Sequence, residues 1–186
     1  MRNEDLTMRQ DVQEILFSEK QLERCVSELG EKITADYKGK PLVVVGILKG
    51  SNIFTSDLVR KIDLPLRMDF MSVSSYGNAT TSTGQVKIIK DLDKGIEGEH
   101  VLIVEDIVDS GLTLKYLKDL LATRMPASIK ICTLLDKPAR RKEAITPDYV
   151  GFEVPDEFII GYGIDYAERY RNLPFIGILK REIYEK

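Results

Sequence analysis

The chain has one histidine, His100, and two cysteines, Cys25 and Cys132. A structural zinc site needs a fuller set of Cys and His, so none is expected. The two cysteines stand far apart and form no CxxC pattern. They read as buried free thiols, which suits a reducing, cytoplasmic setting. No apolar run approaches transmembrane length, and the N-terminus, with Glu4, Asp5 and Asp11, lacks the apolar core of a signal peptide. The formal net charge of −3 provides no global basic field. Neither nucleic acid nor a membrane is therefore an expected partner. Two phosphate-binding fingerprints are also missing, because the chain contains neither GxxxxGKS/T nor GxGxxG. No repeat, linker or second domain is visible.

What remains is 186 residues, 43% hydrophobic and 31% charged, which suits one soluble domain over residues 1–186 with a core of its own. Residues 1–10 are polar and read as a frayed, flexible end. Val12–Phe17 reads as a short strand or the start of a helix. Ser18 and Gln21 form the S-x-x-Q pattern of a capping box, and Leu22, Val26, Leu29, Ile33 and Tyr37 follow at helical spacing. Gly39-Lys40-Pro41 ends that helix. Leu42–Leu48 is almost purely aliphatic, as in a strand buried on both faces of a parallel sheet. Ser51–Arg60 reads as a helix with Ser51 or Asn52 near its cap. Leu66, Met68 and Phe70 alternate as in a strand.

The stretch SSYGNATTSTGQ, residues 74–85, is small, polar and glycine-containing, and reads as a mobile surface loop. Val86–Ile89 is a return strand, Val101–Val104 a buried strand, Gly111–Thr123 a helix and Ile129–Leu135 the next strand. Tyr149–Val154, Phe158–Ile164 and Phe175–Leu179 are shorter strands, read as a small subdomain over the carboxyl edge of the sheet. The strand–helix–strand rhythm predicts an α/β fold with a mainly parallel central sheet flanked by helices.

The chemistry concentrates in VLIVEDIVDSGLTL, Val101–Leu114. Ligands of open α/β sheets bind at the carboxyl ends of the strands. There, backbone N–H groups of Asp109–Thr113 at a helix start, with the Ser110 and Thr113 hydroxyls, suit a terminal phosphate. Negative charge seems out of place beside a phosphate, so Glu105 and Asp106 need another task. Carboxylates accept hydrogen bonds from vicinal hydroxyls and attract Mg²⁺. They precede the phosphate loop by about one sugar's length, at ~3.3 Å per residue. A ribose 5-phosphate unit satisfies both halves. Asp109 lies where it acts either on a group at the sugar's first carbon or as a plain helix cap.

VLIVEDIVDSGLT resembles the phosphoribosyl-diphosphate motif of type I phosphoribosyltransferases. GILKGS (46–51), SSYG (74–77), LLDKP (134–138), VGFEVPDEFIIGYGIDY (150–166) and YRNLP (170–174) are similar to hypoxanthine-guanine phosphoribosyltransferases, in that family's order and in a bacterial form. The resemblance implies the type I fold with a small hood made of N- and C-terminal segments. It also implies purine salvage. Hypoxanthine or guanine would displace pyrophosphate from phosphoribosyl diphosphate with Mg²⁺, giving IMP or GMP.

The same resemblance assigns residues. Glu105 and Asp106 would hold the ribose hydroxyls and metal, Asp109 would be the acid or base at purine N7, and Ser110, Gly111, Leu112 and Thr113 would hold the 5-phosphate. Lys49, Gly50 and Arg171 would meet pyrophosphate, and Ser75 and Tyr76 would open a loop that closes over the site. The Lys49–Gly50 peptide can be cis in that family. Lys137 would contact the purine O6, Phe158 would stack on the base, the Ile159 backbone would read its edge, and Asp165, beside the purine, would hold a Mg²⁺ through water. A homo-oligomer is the family expectation. Two rivals share the fold: a nucleotide-sensing regulatory protein and a transferase preferring xanthine. His100 reads as structural or exposed. The run Pro138-Ala139-Arg140-Arg141-Lys142 reads as a solvated loop, with anion binding as the alternative.

Overall fold

The computed structural model describes residues 8–75 and 86–185. Its main sheet has six strands: β2 (Leu42–Leu48), β3 (Leu66–Ser75), β4 (Val86–Lys90), β5 (His100–Val108), β6 (Ser128–Asp136) and β7 (Tyr149–Glu153). They lie in the order β4-β3-β2-β5-β6-β7, parallel except for the antiparallel edge strand β4. The aliphatic run of β2 explains its place near the middle, where Val44 pairs with Met68 on one side and Leu102 on the other.

Strand period then sorts the core into two layers. Val44, Leu102 and Val104 face α1 (Glu19–Asp36) and α2 (Asn52–Val59), packing on Leu22, Val26, Phe54 and Leu58. Val43, Val45, Val101 and Ile103 face α3 (Leu112–Ala122) and pack on Leu117 and Leu121. Leu102 and Ile103 are fully buried on opposite faces, each stabilising by about 1.5–3 kcal/mol relative to exposure.

A second, antiparallel sheet pairs β1 (Val12–Phe17) with β9 (Ile176–Leu179), and β9 with β8 (Ile159–Ile160). A short α4 (Arg181–Tyr184) follows. Ile160, Tyr170, Leu173, Phe175 and Leu179 form its own apolar cluster. Among the described residues, no helix is long and apolar enough to cross a membrane.

Several boundaries differ from the sequence reading. Residues 8–10 are not frayed, since Met8–Asp11 forms a 3-10 helix leading into β1; residues 1–7 lie outside the described residues. The Val12–Phe17 alternative resolves as a strand. Ser51 is the N-cap residue of α2 as expected, but its hydroxyl makes no cap bond and donates instead to the Ile47 carbonyl at 2.7 Å. Tyr149–Glu153 joins the main sheet at its edge rather than the small one. Only Ile159–Ile160 of the expected Phe158–Ile164 strand is extended, because Gly161 and Gly163, at φ +100° and +105°, turn the chain. The most consequential difference is β5. It runs past Val104 to Val108, so Glu105 and Asp106 stand on a strand and not in the loop after it. Its partner β6 is equally long and pairs Thr133 with Glu105 and Asp136 with Val108.

Candidate active site

Alternation along β5 decides where its acids point. Val104 and Val108 are buried, while Glu105, Asp106 and Ile107 are only partly covered at the carboxyl edge. Neither Glu105 nor Asp106 has a salt-bridge partner among the described residues. Burial, followed by the neighbouring Asp106 charge, pushes Glu105 well above the usual carboxylate range. Burial also pushes Asp106 up. The Asp106 Oδ1 accepts the Ile107 N–H at 2.8 Å, which fixes the carboxylate.

The chain then turns into α3 through Gly111, left-handed at φ +82°. A β-carbon there would come within 2.6 Å of Ile145 Cγ2. The first turn of α3 leaves its N–H groups without helical acceptors, as every helix start does. A cavity of about 310 Å³ opens above it, and Glu105, Asp106, Asp109, Ser110, Gly111 and Thr113 contribute to its wall. Leu112 lies outside that wall and is exposed, its N–H near Ser110 Oγ at 3.4 Å.

A second cavity, about 420 Å³, adjoins the first and is lined by Lys137, Phe158, Ile159, Asp165 and Asp109 among others. Asp109 and Ile107 belong to both walls. Lys137 is only 5% exposed, so it is no solvated loop charge. Its Nζ donates to the Glu157 carbonyl at 2.9 Å and faces Asp156 at 3.8 Å. Phe158 is partly exposed, meeting Tyr166 edge-on at 5.3 Å and Tyr184 stacked at 4.8 Å. Ile159 is buried in β8, opposite Ile178.

Gly50 has no room for a side chain, since a β-carbon would overlap the Asp106 carboxylate. A β-carbon on Gly163 would in turn overlap the Gly50 carbonyl. The 48–50 turn is thus pressed between the acids of β5 and the segment after β8. The cis peptide lies at Leu48–Lys49, one bond before the Lys49–Gly50 position considered from the sequence.

Lys49 and Arg171 line neither cavity. Lys49 Nζ pairs with Glu168 at 2.9 Å. Arg171 donates to the Gly163 carbonyl at 2.8 Å and pairs with Asp165 at 2.8 Å. Arg171 Nε is buried with no hydrogen-bond partner among the described residues. Ser75 ends β3, and Tyr76, with the rest of the expected mobile loop through residue 85, lies outside the described residues.

Arg141 was the main omission of the sequence reading. It is not solvated, and its guanidinium reaches the carbonyls of Asp109 and Ile145 and the Asp136 carboxylate. Arg140 bridges Asp109 at 3.5 Å and Asp156 at 3.6 Å. Nothing in the run PARRK announces these contacts, because they join segments distant in sequence. A larger cavity of about 560 Å³ lies between α1 and α2, lined by Leu22, Val26, Ile53, Asp57 and Tyr162, apart from the acids and the phosphate loop.

Comparison with known proteins settles the lineage. The family described as phosphoribosyl transferase domain matches residues 12–167. The chain belongs to the phosphoribosyltransferase family. It is 56% identical over 178 residues to the hypoxanthine-guanine phosphoribosyltransferase of Bacillus subtilis, covering 96% of this chain and 99% of that one. It is 59% identical over 180 residues to the bifunctional protein TilS/HprT of Listeria innocua, covering 97% of this chain but 28% of that protein. The chain thus spans little more than a quarter of such bifunctional relatives. A crystal structure of a hypoxanthine phosphoribosyltransferase from Staphylococcus aureus superposes with a TM-score of 0.95 at 53% identity, covering 99% of this chain and all of that one. The α/β fold with its mainly parallel sheet is therefore that of type I phosphoribosyltransferases.

Proposed function

We propose that this phosphoribosyltransferase works in purine salvage, transferring the 5-phosphoribosyl group of phosphoribosyl diphosphate to hypoxanthine or guanine and releasing IMP or GMP and pyrophosphate. The observation that carries the reading is the shared wall of the two cavities. Asp109 stands between a cavity lined by Glu105, Asp106, Ser110, Gly111 and Thr113 and a cavity lined by a buried lysine and a partly exposed aromatic ring. The bond from the sugar's first carbon to pyrophosphate breaks as the bond from that carbon to the base forms, and Asp109 is the titratable group at that junction.

In this reading the N–H groups of Ser110–Thr113 hold the 5-phosphate. Glu105 and Asp106 accept the ribose hydroxyls, and their negative charge favours the oxocarbenium-like transition state at the sugar's first carbon. Asp109 exchanges a proton with purine N7. Lys137 donates to O6, a contact that adenine, with its amino group there, cannot make. Phe158 offers a stacking face and Ile159 its backbone. Lys49, Gly50 and Arg171 receive pyrophosphate.

Glu105, Asp106 and Asp165 are the side chains that would hold Mg²⁺, which supplies charge neutralisation on the phosphates when bound. The fit is of the kind Mg²⁺ favours. Two carboxylates carry no salt bridge, and no group of three or more His, Cys, Asp or Glu among the described residues forms a cage of its own. Substrate oxygens and water would then complete the shell. The same proposal includes a homo-oligomer in the cytoplasm, where the buried free thiols Cys25 and Cys132 stay reduced.

The test is a steady-state screen of hypoxanthine, guanine, xanthine and adenine with phosphoribosyl diphosphate and Mg²⁺. Hypoxanthine or guanine should turn over, with adenine slower by about 100-fold or more. In the Lys137→Ala variant, KM for the purine should rise about tenfold while that for phosphoribosyl diphosphate changes little. Turnover of no purine, together with a gel shift on RNA or DNA, would replace the enzyme reading with the regulatory one. A xanthine preference would move the substrate assignment.

A further inference from the structure

The phosphate loop is held open from behind by a segment that has no place in the reaction described above. Arg141, mostly buried, spreads its guanidinium over four acceptors. Nε donates to the Asp109 carbonyl at 3.1 Å, Nη1 to the Ile145 carbonyl at 2.5 Å, and Nη2 to the Val108 carbonyl at 3.4 Å. Nη2 also pairs with the Asp136 carboxylate at the end of β6. Backbone groups extend the bracket. The Lys137 N–H donates to the Val108 carbonyl at 3.0 Å, and the Lys142 and Glu143 N–H groups donate to the Ser110 carbonyl at 2.9 and 3.1 Å. Every carbonyl from Val108 to Ser110 is thereby turned toward residues 137–145.

In a planar trans peptide the carbonyl of one residue and the N–H of the next point in opposite directions. Fixing the carbonyls of Val108, Asp109 and Ser110 therefore aims the N–H groups of Asp109, Ser110 and Gly111 away from the bracket. The cavity that Asp109, Ser110 and Gly111 line is open to those donors. Gly111 completes the arrangement, because its backbone rests against Ile145 and Arg141 too closely for a side chain.

We propose that Arg141 is a positioning residue for the 5-phosphate: anchored on Asp136, it pins the carbonyls of Val108 and Asp109 so that the loop's N–H groups converge on the phosphate. It touches no substrate and acts through the peptide units that do. A guanidinium is suited to this work because its planar fork reaches several carbonyls in one fixed geometry, which a lysine ammonium does not. The inference rests on the phosphoribosyltransferase reading of the site.

The experiment measures Kd for IMP and for inosine, which differ only in the 5-phosphate, in the wild type and in Arg141→Lys. The ratio of the inosine Kd to the IMP Kd isolates what the loop contributes. In Arg141→Lys, which keeps the charge and loses the fork, this ratio should fall about tenfold or more, and KM for phosphoribosyl diphosphate should rise by a similar factor with kcat within about threefold. Millimolar guanidine added to Arg141→Ala should restore part of the ratio. A merely structural role would lower the melting temperature and leave the ratio alone, and an unchanged ratio in folded Arg141→Lys overturns the proposal. If neither Arg141 variant folds, Asp136→Asn loosens the same bracket from its other end, and an unchanged ratio there is equally fatal. A wild type that turns over no purine sinks the reading of the site, whereas an active wild type with an unaltered ratio in the variants sinks only the role of Arg141.

Discussion

The two ends of β5 carry similar side chains in opposite circumstances. At the amino end, charges and polar groups are paired. His100 shares a hydrogen bond with Ser128 at 2.7 Å, and Asp36 receives the Tyr149 hydroxyl at 2.5 Å and the Lys130 ammonium at 3.3 Å. Asp91 takes a two-pronged contact from Arg124, both bonds 2.8 Å. The buried Tyr37 hydroxyl and Arg67 Nη1 are exceptions, with no hydrogen-bond partner among the described residues. At the carboxyl end, Glu105 and Asp106 are left without salt bridges and are pushed up by burial. Backbone strain gathers there too. Of the five non-glycine residues with positive φ among the described residues, four (Tyr162, Ala167, Glu168 and Tyr170) fall in the segment beside Gly50 and Arg171. The fold pairs most charges at both edges, but at the carboxyl edge it leaves two acids, Glu105 and Asp106, without salt bridges beside a strained segment, where a ligand can use them.

The comparison breaks most severely at glycine. Gly50→Ala would drive a methyl group into the Asp106 carboxylate, so kcat/KM should fall about 100-fold or more. Gly98, at the amino end, has φ +72° and open space around its missing side chain. Gly98→Ala should therefore lower stability by about 1 kcal/mol and leave kcat/KM unchanged. Steady-state kinetics and thermal melting of the pair decide the matter. If Gly50→Ala keeps wild-type kinetics, the close packing of the 48–50 turn on the acids is not functional.

The asymmetry also explains what the sequence made legible. The core strands were plain because burial on both faces leaves only aliphatic residues, as in Leu42–Leu48. The order of acids, serine and threonine after Val104 was legible because ligand chemistry constrains residue type. The end of β5 was misread for the same reason. Glu105 and Asp106 look like loop residues, yet β6 is long enough to pair them into the sheet. Arg141 was missed because its partners, Val108, Asp109, Asp136 and Ile145, are assembled only by the fold. The short β8 follows from Gly161 and Gly163, whose left-handed backbones carry no signal that distinguishes them from glycines in an extended strand.

A middle-sized effect is expected from removing one unpaired charge. A carboxyl raised in the folded state binds its proton more tightly there than in the unfolded chain. Its contribution is therefore greatest below the ordinary value of 4.5 and declines as pH rises from 4.5 through the folded value. At neutral pH, above the ordinary value, keeping this carboxyl buried opposes folding. Glu105→Gln should raise stability at pH 7 by about 1 kcal/mol, while weakening phosphoribosyl diphosphate binding. The gain should shrink as pH is lowered toward 4.5, where the wild type is itself protonated in the folded state. Urea unfolding at several pH values reads both numbers. A loss of stability at pH 7 would overturn the claim that burial of Glu105 works against folding.

The smallest effect belongs to the paired end and should run in the opposite direction with pH. Hydrogen bonds from Arg124 hold Asp91 below its ordinary value of 3.8. Its stabilisation is present above 3.8 and disappears as pH falls through the lower, folded value. Asp91 is partly exposed, its side chain retaining 45% of its accessible surface, so solvent screens the pair. Asp91→Asn should therefore lower stability at pH 7 by no more than about 0.5 kcal/mol, with kinetics unchanged. That deficit should be flat from pH 7 to 5, should vanish toward pH 3, and should diminish in high salt, unlike the gain from Glu105→Gln. Two variants on one sheet, with opposite signs at pH 7, would show that the edges differ in how their charges are used. If both variants destabilise and both deficits fade in acid, the carboxyl edge is paired after all and the distinction fails.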